Sequence, residues 1–367
     1  LICFAFSLFL VYKLSFLLSK SANQALITTF IYSFSVTNFS RIYFLSAFQE
    51  IILVIFSLLC LIKYLEKKHF WSLIFFVLAL MSKETAVIIP LLLVGLNFLN
   101  QKLKIKKLLP FFLILSLYLY LRLQVFGLTQ GDTYVWNFSP KTTLNTLMWY
   151  VIWTLGAPEL FVDYLGGGFR VIPRFFTDYP IYSYLILIGL LSTISLLILN
   201  TIRHFKKLNQ LTLFAGFWFL ITLLPVIFLP QHKFTLELGL PLFGFALFIS
   251  QVTVKHKLGI LLLLVFLIFN LSMNRLTYTR DYSTRRANLS RQIYKHLQNN
   301  YPDITSNTNF IFTNEKTTIQ IDHAISGSNM FQVFYHNHNL EVFYPHSTQA
   351  PTPTKSPITI DSNQFFN

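Results

Sequence analysis

The sequence predicts an all-α polytopic membrane protein of about ten membrane helices or half-helices, followed by a small external α/β appendage. Composition is the first reason. Of 367 residues, 54% are hydrophobic and only 12% charged, with 40 Phe and a mean hydropathy of +0.56. A soluble domain carries roughly twice that charged fraction. Second, apolar runs approaching the ~20 residues that span hydrocarbon recur from the first residue to about 274. Third, the basic residues fall in short clusters between those runs, where they set orientation. That placement also accounts for the net charge of +15 without invoking nucleic acid. The two cysteines, Cys3 and Cys60, lie in apolar segments and imply neither a disulfide framework nor a metal motif.

The apolar helices are expected at 1–19, 25–45, 50–66, 70–82, 85–99, 108–126, 182–202, 211–229, 236–254 and 258–274. The chain opens on "LICFAFSLFL", with no initiator Met and no basic region of a signal peptide, and reads as a fragment that has lost its N-terminus. Lys13 and Lys20 share one side with Lys63, Lys67 and Lys68 and with Lys102, Lys104, Lys106 and Lys107. Arg203, Lys206, Lys207, Lys255 and Lys257 join them, and the positive-inside rule makes that side cytoplasmic. Glu50, Glu84, Asp132, Glu159, Asp163, Asp178 and Glu237 fall on or near the other side, and only Glu66 sits among the lysines. Localisation in the cell membrane with an external C-terminus follows.

Residues 127–181 form a long external loop within the membrane domain, 1–274. Its apolar middle, 142–156, is too short to span, and Trp136, Trp149, Tyr150 and Trp153 suit the headgroup layer. A helix lying in the outer interface is expected there. After Asn274, "RLTYTRDYSTRRANLSRQIYKHLQNNYPD" predicts an amphipathic helix with Leu289, Ile293 and Leu297 at helical spacing. Strand-like runs "NFIFTN" and "MFQVFYHNHNLEVFYP" complete an appendage over 275–345, and the Pro/Ser/Thr-rich residues 346–367 are expected to be disordered.

The stretch "LALMSKETAVIIP" places Lys83 and Glu84 inside an apolar run. Residues 69–99 lie between two basic clusters of the same side, and as helix they would reach about 46 Å. One crossing needs roughly 30 Å and two need about 60 Å, so a hairpin of two short helices with "SKET" at its tip is predicted. Ser82 or Thr85 would cap the second helix. Lys83 is expected to point into an outward-open polar cavity. Arg41, Glu50, Arg122, Glu159, Asp163, His232, Lys233 and Glu237 fall at the same level. Cations there would meet an anionic headgroup and carboxylates would do acid–base work.

"SAFQEIILVIFSLLCLIKYLEKK", "LALMSKETAVIIPLLL", "WFLITLLPVIFLPQHKFTLELGLPLFGFAL" and "STRRANLSRQIYKHLQNNYPDI" resemble successive segments of the GT-C superfamily of membrane glycosyltransferases, closest to its protein-O-mannosyltransferase-like members. The resemblance implies a GT-C-like fold and transfer of a sugar, with inversion, from a polyprenyl-phosphate donor to a hydroxyl of a protein, lipid or glycan acceptor. It implies that Lys83 holds the donor phosphate; of the charges at the same level, Arg122 or Lys233 would assist, and Arg41, Glu159, His232 and Glu237 would line the site. The family's acidic motif would precede these residues, leaving Glu50, Glu84 and Asp163 as secondary catalytic candidates. The stretch "SVTNFSRIYFLSAFQE" departs from the family pattern, lacking its His, Pro and first Glu and carrying Phe48 where an arginine is expected, although Glu50 remains. A divalent metal is compatible with such chemistry, but no motif calls for one. Two other readings stay open: a transporter of lipid-linked glycans, against which stands the lack of a second broken hairpin, and a degenerate, non-catalytic scaffold.

Overall fold

The computed structural model describes residues 1–99, 105–127, 131, 133–167, 170–205, 209–253, 257–304, 308–346 and 356–366. The chain divides into two units, Leu1–Thr277 and Tyr278–Asn367. Lys102, Lys104, Asp132, Lys206, Lys207 and Lys255 lie outside the described residues.

The first unit is helical. It opens with α1 (Ile2–Ser19) and α2 (Ala22–Phe34), the latter capped by Ser21, whose side chain accepts from the Gln24 amide. The helix expected over 25–45 stops at Ser35. At "SVTN", residues 35–38, the chain turns: residues 36–38 form a 3₁₀ turn, α3 (Phe39–Tyr43) is one short helix, and a second turn covers 45–47. The cause is local polar competition, since Ser35 bonds Thr37 and the Asn38 amide donates to the Tyr32 carbonyl. The chain then runs through α4 (Phe48–Leu65), α5 (His69–Ser82), a 3₁₀ turn over 84–88, α6 (Ile89–Leu99) and α7 (Ile105–Tyr120), which continues as π-helix to Phe126. α8 (Pro140–Thr154) follows, then a 3₁₀ turn over 159–164 and α9 (Arg174–Asp178). The unit closes with α10 (Pro180–His204), α11 (Gln210–Leu223), a 3₁₀ turn over 235–238, α12 (Pro241–Thr253) and α13 (Lys257–Arg280), whose end passes into the second unit. Proline at the first turn starts α8 and α10, where its missing N–H costs nothing.

Among the described residues, five helices are long and apolar enough to cross a membrane: Ile2–Ser19, Leu45–Leu65, Lys106–Phe126, Pro180–His204 and Lys257–Arg280. Four shorter apolar helices lie between them: His69–Ser82, Glu84–Leu99, Gln210–Leu223 and Pro241–Thr253. Leu109, Leu113 and Leu117 on α7 and Ile181, Leu185, Ile188 and Leu191 on α10 are exposed at helical spacing, a surface suited to lipid rather than water.

Polar contacts define the two ends of this unit. At one, Glu66 pairs with Lys13 at 2.8 Å and Lys63 at 3.0 Å, and Lys107 meets His69 at 2.9 Å. The hydrogen bond from Lys13 holds the Glu66 carboxyl below its ordinary value. Asn97, near the end of α6, donates to the Tyr64 hydroxyl at 2.8 Å, so α6 returns to the end where α5 began. The hairpin is therefore real, and its tip lies at the opposite end.

The expected headgroup aromatics behave otherwise. Trp149, Tyr150 and Trp153 are buried in a core with Phe161, Phe175, Leu223, Leu238 and Phe269, while Trp136 remains exposed. α8 turns these rings into protein instead of lipid, while Leu144, Met148 and Val151 are exposed on its other face. α11 also ends earlier than expected, at Leu223, ahead of Pro225 and Pro230.

The second unit contains α14 (Tyr282–Asn300), β1 (Thr308–Thr313), α15 (Glu315–Ile325), α16 (Asn329–Phe334), β2 (Val342–Phe343) and β3 (Ser356–Asp361). Asp281 caps α14 by accepting from the Ser283 amide, and Leu289, Ile293 and Leu297 are buried as predicted. The strands form a parallel sheet in the order β2–β1–β3. Two expectations change. "MFQVF" is helix rather than strand, because Phe331 must reach Phe310, at 4.7 Å between ring centroids, from a neighbouring layer. Residues 356–366, expected to be disordered, supply β3, paired along six residues of β1 with Ile360 in the core, and a closing 3₁₀ turn over 362–365.

Candidate functional site

Three separated segments meet at the end of the first unit opposite Glu66. The first turn of α4 brings Glu50, the hairpin tip brings Lys83, and the 3₁₀ turn over 235–238 brings Glu237. The Lys83 ammonium donates to Glu50 Oε1 and to both carboxylate oxygens of Glu237, each of the latter at 2.9 Å. The side chains of Glu50, Glu237 and Lys83 are 2%, 3% and 9% exposed. Lys83, expected in an open polar cavity, is instead closed off by two carboxylates, because an ammonium group leaving water gains most from counter-ions at contact distance. Neither Ser82 nor Thr85 caps the following turn; Ser82 Oγ donates back to the Leu78 carbonyl at 2.7 Å.

Around this triad stand groups of two kinds. His232 Nε2 lies 3.8 Å from Glu237 Oε1, and its ring stacks on Tyr134 at 4.2 Å between centroids. Burial holds the His232 imidazole below its ordinary value, against the opposing pull of Glu237. Burial, then the Glu237 carboxylate, raises the Tyr150 phenol well above its ordinary range, which keeps it a neutral hydroxyl. Arg41 is 3% exposed and donates to the Tyr32 hydroxyl at 3.2 Å and to Asn38 Oδ1. Its charge offsets Glu50 at longer range. Gly239 makes room for it: a Cβ there would sit 2.8 Å from Arg41 Nη1 and 2.9 Å from Val54 Cγ2. The net charge of Glu50, Glu237, Lys83 and Arg41 is zero.

Glu159 accepts from the Thr235 amide at 2.7 Å and from its hydroxyl, and so fixes the turn that carries Glu237. Its role is positional. The other candidates stand apart. Glu84 is exposed and acts electrostatically on His232 and on Tyr118, which Arg122 also influences. The Lys233 ammonium is turned onto the Pro230 carbonyl at 2.7 Å. Asp163 is exposed in the turn after Glu159. The chain matches no protein-family model, no curated protein and no solved structure. Function therefore rests on this geometry. Among the described residues, no group of three or more His, Cys, Asp or Glu side chains is arranged to hold a metal ion.

Tyr32, Asn38, Tyr134, Tyr150 and Thr235 belong to the site and were not singled out as site residues from sequence. One signal was available: "SVTN" places three hydrogen-bonding side chains within four residues inside what otherwise reads as a membrane helix. A lone tyrosine in an aromatic-rich chain carries no such mark.

Proposed function

We propose that the chain is the membrane domain of a glycosyltransferase of GT-C type, moving a sugar from a polyprenyl-phosphate donor to an acceptor hydroxyl at the outer face of the cell membrane. The observation that carries this reading is the buried Glu50–Lys83–Glu237 triad, drawn from three segments to the end of the bundle away from the lysines. Ionisable groups at that depth are costly and are retained mainly where they do chemistry. On this reading a donor phosphate displaces one carboxylate from Lys83, and the displaced carboxylate becomes the base. The acceptor oxygen loses its proton to that carboxylate and bonds to the anomeric carbon as the bond from that carbon to the phosphate oxygen breaks. The electron pair leaves with the lipid phosphate, where Lys83 and Arg41 stabilise the growing charge.

The test is sugar transfer in detergent, with no second compartment, from polyprenyl-phosphate mannose to a Ser/Thr peptide. Glu237→Gln should lower the rate by about 10²-fold or more, since it removes the base and one side of the clamp. Product formation by the intact chain also decides against a transporter. A second reading is favoured by the low exposure of Lys83: the triad is a structural clamp. Transfer undiminished in the combined Glu50→Gln, Lys83→Met, Glu237→Gln variant would establish the clamp and end the catalytic role.

Orientation is tested separately. Glu84→Cys in a Cys3→Ser background should react in intact cells with a membrane-impermeant maleimide, since Glu84 is exposed and Cys60 is fully buried. Labelling only after the cytosolic face is opened would reverse the assigned sides.

A further inference from the structure

The second unit has a groove of about 390 Å³ between α14, α15 and the closing turn after β3. Its chemistry is of three kinds. Arg285 and Arg286 supply positive charge, and with His323 they supply N–H donors. Asn288, Gln292 and Gln320 supply carboxamides, and Tyr282, Phe365 and Phe366 supply ring faces. Among the described lining residues none is acidic. Arg286 stacks over the Tyr282 ring at 5.2 Å and places Nη2 3.3 Å from His323 Nδ1. A guanidinium held against an aromatic face and beside an imidazole keeps its fork pre-organised for an incoming carboxylate or phosphate.

From this combination we infer that the groove binds an anionic glycan, a saccharide chain bearing carboxylate or phosphate groups. Each feature has a counterpart in such a ligand. The arginine pair takes the anion, the rings cover the apolar C–H faces of a sugar, and the carboxamides exchange hydrogen bonds with hydroxyls. The groove is built from two helices and a turn that lie far apart in sequence, a concave site with convergent polar groups. A lipid headgroup attracted by charge alone would need only the basic face of α14, not the carboxamides of α15 or the rings of the closing turn. The inference does not depend on what the membrane bundle catalyses.

The experiment is isothermal titration of the full chain, in nanodiscs of zwitterionic lipid, with a hexasaccharide alternating glucuronate and N-acetylglucosamine. Chitohexaose, of the same length and uncharged, is the comparison. The anionic chain should bind about tenfold more tightly than chitohexaose, and Arg286→Gln should lower its affinity by a similar factor. Tyr282→Ala should weaken both sugars. Lys295→Gln, on α14 but outside the lining, should change neither. All these side chains are exposed, so the variants test binding rather than folding. Equal affinity for the two sugars, or binding untouched by Arg286→Gln, would overturn the inference. So would a result in which the glycan fails to bind while the intact chain, but not Arg286→Gln, gains affinity for phosphatidylserine vesicles; the groove would then be a headgroup site.

Discussion

Lys83→Met should destabilise the bundle by about 3–5 kcal/mol, the range observed when one partner of a buried ion pair is removed. The substitution keeps the length and most of the volume of the side chain, so packing changes little. What changes is charge. Glu50 and Glu237, 2% and 3% exposed, lose the one ammonium group that both contact. Two carboxylates then face each other across the site, with Arg41 offsetting Glu50 at longer range. Thermal unfolding of the detergent-purified chain, followed by loss of its monodisperse elution, reads the effect. The combined Glu50→Gln, Lys83→Met, Glu237→Gln variant should recover most of the loss, because replacing a buried ion cluster by neutral groups of similar shape is often close to neutral. A single variant as stable as the parent would mean that the carboxylates reach water, contrary to the closed triad. If the single variant and the triple variant were equally damaged, the cause would be packing rather than charge.

How far the site was legible in sequence depended on what kind of signal each residue carries. Lys83, Glu50 and Glu237 were legible because a charge inside or beside an apolar run is anomalous wherever it falls. That they lie at the end away from Glu66 and its lysines was legible too, because the basic clusters and the acids alternate along the chain. Their pairing was not legible. Sequence spacing put Lys83 at the tip of a hairpin but not within reach of carboxylates 33 residues before it and 154 after it. For the same reason Lys233 and Asp163, equally charged and close in sequence to Glu237 and Glu159, were expected at the site, yet one folds back on its own loop and the other faces outward. The helix break at Ser35 was missed because apolar periodicity outweighs three short polar side chains, while the backbone responds to where they bond. In the second unit, β3 was hidden by a proline-rich approach. A strand that gains its stability from pairing with β1, some fifty residues earlier, leaves little trace in its own composition.

Gly156→Ala should be the next most damaging single change, by about 2–4 kcal/mol, because strain and overlap combine there. Gly156 has φ +116°, a conformation that a residue with a Cβ adopts only under strain. The space is also taken: an added Cβ would lie 2.8 Å from Asn270 Nδ2 and from Phe269 Cδ1. Neither neighbour can yield cheaply. Asn270 uses its carboxamide oxygen to accept from the Val36 amide at 2.8 Å, at the break between α2 and α3, and Phe269 is packed in the core beneath α8. The turn at Gly156 also directs the chain from α8 to Glu159, whose carboxylate fixes Thr235 and with it the turn bearing Glu237. The damage should therefore have two readouts. Thermal stability falls, and the stacking of Tyr134 on His232 loosens as the 235–238 turn loses its anchor, which exposes Lys83 to reagents for amines. Glu159→Ala should reproduce the second effect without the strain of the first, since it removes the one oxygen that accepts both Thr235 hydrogen bonds. If Gly156→Ala lowered stability while leaving Lys83 unreactive, the turn would be a structural element of α8 alone, and the line of contacts from Gly156 through Glu159 to the triad would be broken.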